Sequence, residues 1–135
     1  MADDTFHCSI VTPERAVLEC DARSVVFPAW DGEIGILKNR APLLCRLGIG
    51  VLRATTDEGE TVLFVDGGFA QMVDNRLTVL TEQARSLSDL DRDEARRILD
   101  EAKGMRITDE RSFVMRQAAL RRGREQLRLT ATMEE

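Results

Sequence analysis

Two carboxylates, Asp31 and Glu33, flank Gly32 in the stretch D-G-E-I-G-I-L-K-N-R-A-P-L-L, residues 31–44. A carboxylate pair performs general acid/base hydrolysis only at a defined separation across a substrate cleft. On a strand the two would point to the same side, yet no neighbouring residues supply a cleft. The remainder of the stretch explains itself as architecture. Gly32 and Gly35 allow unusual backbone angles, Lys38, Asn39 and Arg40 make a polar break, and Pro42 pre-sets its own φ. The spacing predicts a turn, a short strand, a second turn and a Pro-anchored extended segment, which together form an exposed rim on a β scaffold.

The other reactive side chains are no better assembled. His7 precedes Cys8, but adjacent strand residues face opposite ways. Cys8, Cys20 and Cys45 are widely spaced, contain no C-x-x-C, and have a single histidine among them. They read as reduced thiols, with no zinc set. Gly67-Gly68 is too short for a phosphate-cradling loop and precedes strand-like sequence where a helix would be required. No cofactor or metal is expected, and the protein is expected to work by contact.

The elements that carry these residues change character near residue 86. Up to about residue 82, runs of strand-forming residues alternate with turn signals. They lie at Phe6–Val11, 16–19, 24–27 (closed by Pro28), 33–37, 60–65, Phe69–Val73 and 77–81. Leu47, Ile49 and Val51 alternate with Gly48, Gly50 and Leu52, the period-two pattern of a strand against a core. Asp57-Glu58-Gly59, Asp66-Gly67-Gly68 and Asp74-Asn75-Arg76 are expected turns. Strands at this spacing predict an all-β sandwich or barrel.

From Leu87 onward there is no proline and no alternation. Asp91 and Glu94 have the spacing of a capping box, followed by Ala95, Ile98, Ala102 and Met105 on one helical face. Gly104 predicts a stop, and Thr108 or Asp109 a new N-cap for a second helix over 110–130. Phe113, Leu120 and Leu127 form its stripe, and small residues such as Ala102, Ala119 and Gly123 suit a close antiparallel hairpin. The expected organisation is a β-sandwich domain at 1–85 and a helical hairpin at 86–135. The second helix carries Arg111, Arg116, Arg121, Arg122, Arg124 and Arg128 against only Glu110 and Glu125. This cationic face would suit an acidic protein surface; a solvated face paired with the acid-rich first helix is the other reading.

The 135 residues bear a formal net charge of -5, which argues against a general nucleic-acid binder. No apolar run approaches the ~20 residues of a membrane span. The opening M-A-D-D-T-F has neither the basic flank nor the apolar run of a signal peptide. A soluble, intracellular protein is expected.

Taken together, the motifs resemble those of the epsilon subunit of the F-type ATP synthase, of the bacterial or chloroplast type. That family carries Gly-Glu-x-Gly-Ile/Val-Leu followed shortly by His-Ala-Pro-Leu. Here Gly32-Glu33-Ile34-Gly35-Ile36-Leu37 precedes Arg40-Ala41-Pro42-Leu43. Val11-Thr12-Pro13, Gly67-Gly68-Phe69, Leu77-Thr78-Val79-Leu80 and Leu120-Arg121-Arg122 follow in the family's order. The resemblance implies a sandwich that grips the rotating gamma subunit and rests on the polar loops of the membrane c-ring. It implies no catalysis by this chain and a peripheral position on the cytoplasmic face of the bacterial inner membrane. Asp31, Glu33 and Arg40 would face the c-ring. The hairpin would extend towards the catalytic alpha and beta subunits and restrain ATP hydrolysis through Arg116, Arg121, Arg122, Arg124 and Arg128.

Two positions depart from the family. Arg40 stands where histidine is usual, so a fixed charge replaces one that titrates near neutrality. ATP-sensing members carry an acidic residue followed three positions later by Arg-Ala, whereas Asp91 is followed here by Glu94-Ala95. A carboxylate in place of a phosphate-pairing guanidinium predicts no tight ATP binding. The rival readings are an adaptor whose Arg-rich helix docks on an unrelated acidic partner, and a small β-domain enzyme using Asp31 and Glu33.

Overall fold

The computed structural model describes residues 4–133. Met1–Asp3 and Glu134–Glu135, the outer ends of the two expected domains and half of the opening hexapeptide, lie outside them. The chain divides into two compact units, Met1–Arg85 and Ser86–Glu135.

The described residues contain ten strands, the last reaching one residue past the first unit: β1 (Phe6–Val11), β2 (Ala16–Ala22), β3 (Ser24–Ala29), β4 (Gly32–Leu37), β5 (Leu43–Arg46), β6 (Ile49–Thr56), β7 (Gly59–Asp66), β8 (Phe69–Val73), β9 (Arg76–Leu80) and β10 (Ala84–Ser86). They form two five-stranded sheets, β2-β1-β9-β8-β5 and β10-β7-β6-β3-β4. The core between them takes Cys8, Ile10, Met72, Leu77 and Val79 from the first sheet and Val25, Phe27, Ile36, Leu52 and Val65 from the second. Each such side chain contributes roughly 1.5–3 kcal/mol on burial. The alternation that predicted the strands is visible in β1, where Phe6, Cys8 and Ile10 are buried and the residues between them are not. The fold is the expected β-sandwich followed by two helices.

Two details differ from the sequence reading. The third run does not stop at Pro28 but continues to Ala29. Pro28 is tolerated because β3 pairs with β6 only through Ser24, Val25 and Val26, so no ladder bond is asked of its nitrogen there. The pattern at 47–52 also changes phase: Leu47 belongs to the core, but within β6 it is Leu52 and Ala54 that do, and Val51 is half-buried. At Leu47–Gly48 the chain leaves the sheet of β5 for that of β6, and the inward parity switches with it. The return crossing from β7 to β8 lies alongside. Leu47 N–H donates to the Gly68 carbonyl at 2.9 Å, and Gly67 N–H to the Gly48 carbonyl at 3.0 Å. Gly68, at φ 109°, packs so closely that a Cβ would meet the Leu80 carbonyl oxygen at 1.8 Å. Only glycine fits there.

The second unit consists of a short 3-10 turn (Leu87–Asp89), α1 (Arg92–Lys103) and α2 (Glu110–Met133). Asp91 caps α1 by accepting from Asp93 N–H at 3.0 Å. Asp109 caps α2: its carboxylate accepts from Ser112 N–H at 2.8 Å, while its own N–H donates to Ser112 Oγ at 3.0 Å. Donation to the carboxylate by the Ser112 backbone N–H, and then by its hydroxyl, holds the Asp109 carboxyl below its ordinary pKa. Arg116 reaches the Lys103 carbonyl, and Gly123 lies against Leu99, so the helices run antiparallel. A Cβ on Gly123 would approach the Leu99 backbone nitrogen to 2.8 Å.

The expected apolar stripe of α2 holds at Leu120 and in part at Leu127, but not at Phe113, which is 44% exposed. Because Arg116 already stands level with the end of α1, the turn bearing Phe113 overhangs it. Among the side chains of α2 that the structure describes, the buried positions are Leu120, Gly123, Gln126, Leu129 and Thr130. No helix among the described residues is long and apolar enough to cross a membrane.

Candidate functional site

The rim predicted from the sequence is built as a hairpin plus a return. Trp30 and Asp31 form the two-residue turn between β3 and β4, with Ala29 opposite Gly32 as the last pair. Asp31 thus occupies the turn, whereas Glu33 lies within β4 opposite Pro28, so the same-side geometry of a strand pair does not apply to them. Both are exposed to solvent, which removes the cleft that acid/base chemistry would require. Arg40 follows the turn at the other end of β4, a strand of six residues or roughly 20 Å. The chain then returns through β5. The Cys45 thiol is pushed up by burial and by the Asp31 carboxylate, and drawn down by the Arg40 guanidinium. Asp31 and Arg40 therefore both lie within electrostatic reach of Cys45. Among the described residues no salt bridge joins Asp31, Glu33 and Arg40.

Two contacts position this rim that the sequence reading missed. Asn39 and Asn75, both in left-handed conformation at φ 66° and 59°, bond reciprocally. Asn39 N–H donates to Asn75 Oδ1 at 2.6 Å, and Asn75 Nδ2 donates to Asn39 Oδ1 at 3.1 Å. The loop presenting Arg40 is thereby pinned to the β8–β9 turn. At the hairpin tip, the Arg46 guanidinium lies 4.8 Å from the centre of the Trp30 ring, a cation–π contact. Trp30 N–H donates to the Arg46 carbonyl at 3.0 Å. The chain's single tryptophan, placed in a turn and 66% exposed, was the available signal.

Beside the rim, the outer face of the first sheet presents a row of apolar side chains. Val11 pairs with Leu80, Leu80 with Phe69, and Phe69 with Arg46. The next row is Ser9, Thr78, Gln71 and Leu44, again in register. Leu80, Phe69 and Leu44 are 51%, 52% and 70% exposed. A shallow depression of about 380 Å³ runs over Val11, Pro13, Phe69 and Leu80. A solvated strand face would carry polar residues at these positions. Contiguous exposed apolar surface of this kind marks an interaction site.

On α2, Arg111, Arg121, Arg124 and Arg128 are exposed, and Arg116 and Arg122 half-buried. Arg128 donates to Glu125 at 2.8 Å, which removes it from the uncommitted set. Arg121 and Arg124 make no salt bridge among the described residues. A depression at the start of α1 is lined by Asp89, Asp91 and Asp93 together with Ser88, Arg92 and Thr130, a lining rich in carboxylates.

The beta-sandwich domain model of the ATP synthase delta/epsilon chain matches residues 5–86. The ATP synthase epsilon chain of Rhodopirellula baltica is 45% identical over 124 residues, covering 92% of this chain and 97% of that one. The chloroplastic epsilon chain of Guillardia theta is 42% identical over 97 residues, covering 72% and 74%. Among solved structures, a chain of the Euglena gracilis mitochondrial ATP synthase superposes with a TM-score of 0.78 at 20% identity, covering 96% of this chain and 82% of that one. At that identity the likeness is one of fold.

Proposed function

This chain belongs to the family of ATP synthase epsilon chains, and from that premise we propose that it is a non-catalytic rotor subunit of the central stalk, coupling c-ring rotation to the catalytic head through gamma. The exposed apolar side chains of Leu80, Phe69 and Leu44, with half-buried Val11 beside them, carry this reading. They form contiguous exposed apolar surface on one sheet face, of the kind that a permanent protein contact buries. The polar rim of Asp31, Glu33 and Arg40 is the part assigned to the c-ring loops. Such a subunit would be peripheral, on the cytoplasmic face of the bacterial inner membrane.

In this reading the hairpin restrains ATP hydrolysis, and Arg121 and Arg124 supply its electrostatic contact with acidic segments of the catalytic alpha and beta subunits. Arg116 and Arg128 are partly committed within the hairpin, so their share is smaller. Co-expression with gamma tests the assembly, and stable co-purification is expected. Failure to associate would leave the adaptor reading standing. A chain ending at Ser86 should still assemble but raise ATP hydrolysis. Unchanged hydrolysis would remove the regulatory half of the proposal.

A further inference from the structure

Cys8 and Cys20 are direct partners in the antiparallel register of β1 and β2. Residues directly opposite in such a pair have Cα atoms roughly 4.5–5.5 Å apart, inside the 4.4–6.8 Å span that disulfides occupy. Being opposite, they also share a face of the sheet, which is the core face. The two thiols lie close enough to perturb each other's ionisation. The third cysteine is elsewhere. Cys45 lies on β5, at the far edge of the same sheet from β2, roughly 19 Å from Cys20 at ordinary strand spacing.

The pair is asymmetric. Cys8 is wholly buried, and Cys20 half-buried on the edge strand β2. Burial, then the neighbouring Cys20, pushes the Cys8 thiol up to about 12, so by itself it is inert. Cys20 is the sulfur a solute can reach.

We propose that Cys8 and Cys20 form a reversible cross-strand disulfide by exchange with a small-molecule disulfide, Cys20 reacting first and Cys8 resolving. In the first step the Cys20 thiolate attacks one sulfur of the small disulfide, forming a mixed disulfide and expelling one thiolate. In the second the Cys8 sulfur attacks the Cys20 sulfur, the new S–S bond forms, and the second thiolate leaves. The protons of the two cysteines end on the two released thiols. Two protein thiols are oxidised and one small disulfide is reduced. Because burial raises both cysteine pKa values, exchange is slow at neutral pH and accelerates as pH rises. Both sulfurs point into the sandwich, so the outer docking face keeps its shape in either redox form.

The test uses the full reduced chain incubated with oxidised glutathione, quenched by alkylation and mapped by mass spectrometry without reduction. The expected product is a peptide pair joined through Cys8 and Cys20, lighter by two hydrogens, with Cys45 alkylated. Excess reduced glutathione should restore both thiols together. Cys8→Ser should trap glutathione on Cys20, and Cys20→Ser should slow oxidation of Cys8 by at least about tenfold, since a buried thiol reacts poorly. Glutathione remaining on Cys20 in the unsubstituted chain would overturn the proposal, as would a disulfide involving Cys45 or joining two chains. The map of the unsubstituted chain decides the matter even if a variant folds poorly.

Discussion

Phe69→Ala is the substitution that most directly probes the proposed gamma contact. Phe69 is 52% exposed, and an aromatic side chain offers roughly 150–250 Å² for burial. About half of that, roughly 100 Å², remains for a partner to cover. At about 25 cal/mol per Å² this is worth about 2.5 kcal/mol, or a factor of roughly 60 in affinity. Association converts area incompletely, so a loss between about tenfold and sixtyfold is expected. The assay is titration of gamma with the full chain, at low and at high salt. An apolar contact keeps the same ratio of variant to wild-type affinity in both, because salt screens only charges. A folded Phe69→Ala chain that bound gamma within about twofold of wild type would refute the assignment of this face.

Other outcomes follow from particular contacts. Gly123→Val should loosen the hairpin, since even a Cβ meets Leu99 backbone at 2.8 Å; overpacking of this kind costs about 1–3 kcal/mol, readable as faster amide exchange confined to α1 and α2. Isothermal titration with ATP should show no micromolar binding, because Glu94 and the carboxylates at Asp89, Asp91 and Asp93 repel phosphate; tight binding would sink that reading. Charge reversal at Arg121, Arg122 and Arg124 should raise ATP hydrolysis in the assembled enzyme as truncation does, and unchanged activity would rule out the electrostatic restraint. Arg40→His should introduce a pH dependence into binding of the isolated c-ring. The imidazolium is lost as pH rises through about 6.5, whereas wild type should bind equally across that range, since arginine stays charged.

The β scaffold was legible because local alternation and turn chemistry agree with the final sheets, as at Phe6–Val11 and at the Asp74-Asn75 turn, both of whose residues have positive φ. The phase change at Leu47–Gly48 was not legible. It depends on which sheet the chain enters next, a tertiary fact. Asn39 and Asn75 are separated by 36 residues and bond only because two turns meet. For the site, the rim residues Asp31, Glu33 and Arg40 stood out by their turns, and the arginines of α2 by their spacing. The apolar row did not. Phe69 and Leu80 sit in strands whose other face is buried, so the sequence reads as strand without saying which side is left uncovered. Phe113 was misplaced for a related reason, since periodicity reports a helix face but not where the partner helix ends.

The two proposed contact surfaces differ in the physics that would hold them, and this difference has a functional consequence. The sheet face is apolar, with Arg46 and Trp30 at its edge, so its affinity should survive changes of salt and pH. A torque-bearing contact requires that persistence. The hairpin offers Arg121 and Arg124, exposed charges whose attraction fades beyond a Debye length of about 8 Å at physiological ionic strength. Such a contact is weak enough to be made and broken while the sandwich stays attached. On the proposed reading, coupling and restraint are therefore separable by salt: raising ionic strength should relieve inhibition well before it releases the subunit from gamma. If both were lost at the same salt concentration, the arginines and the apolar row would not be serving different partners.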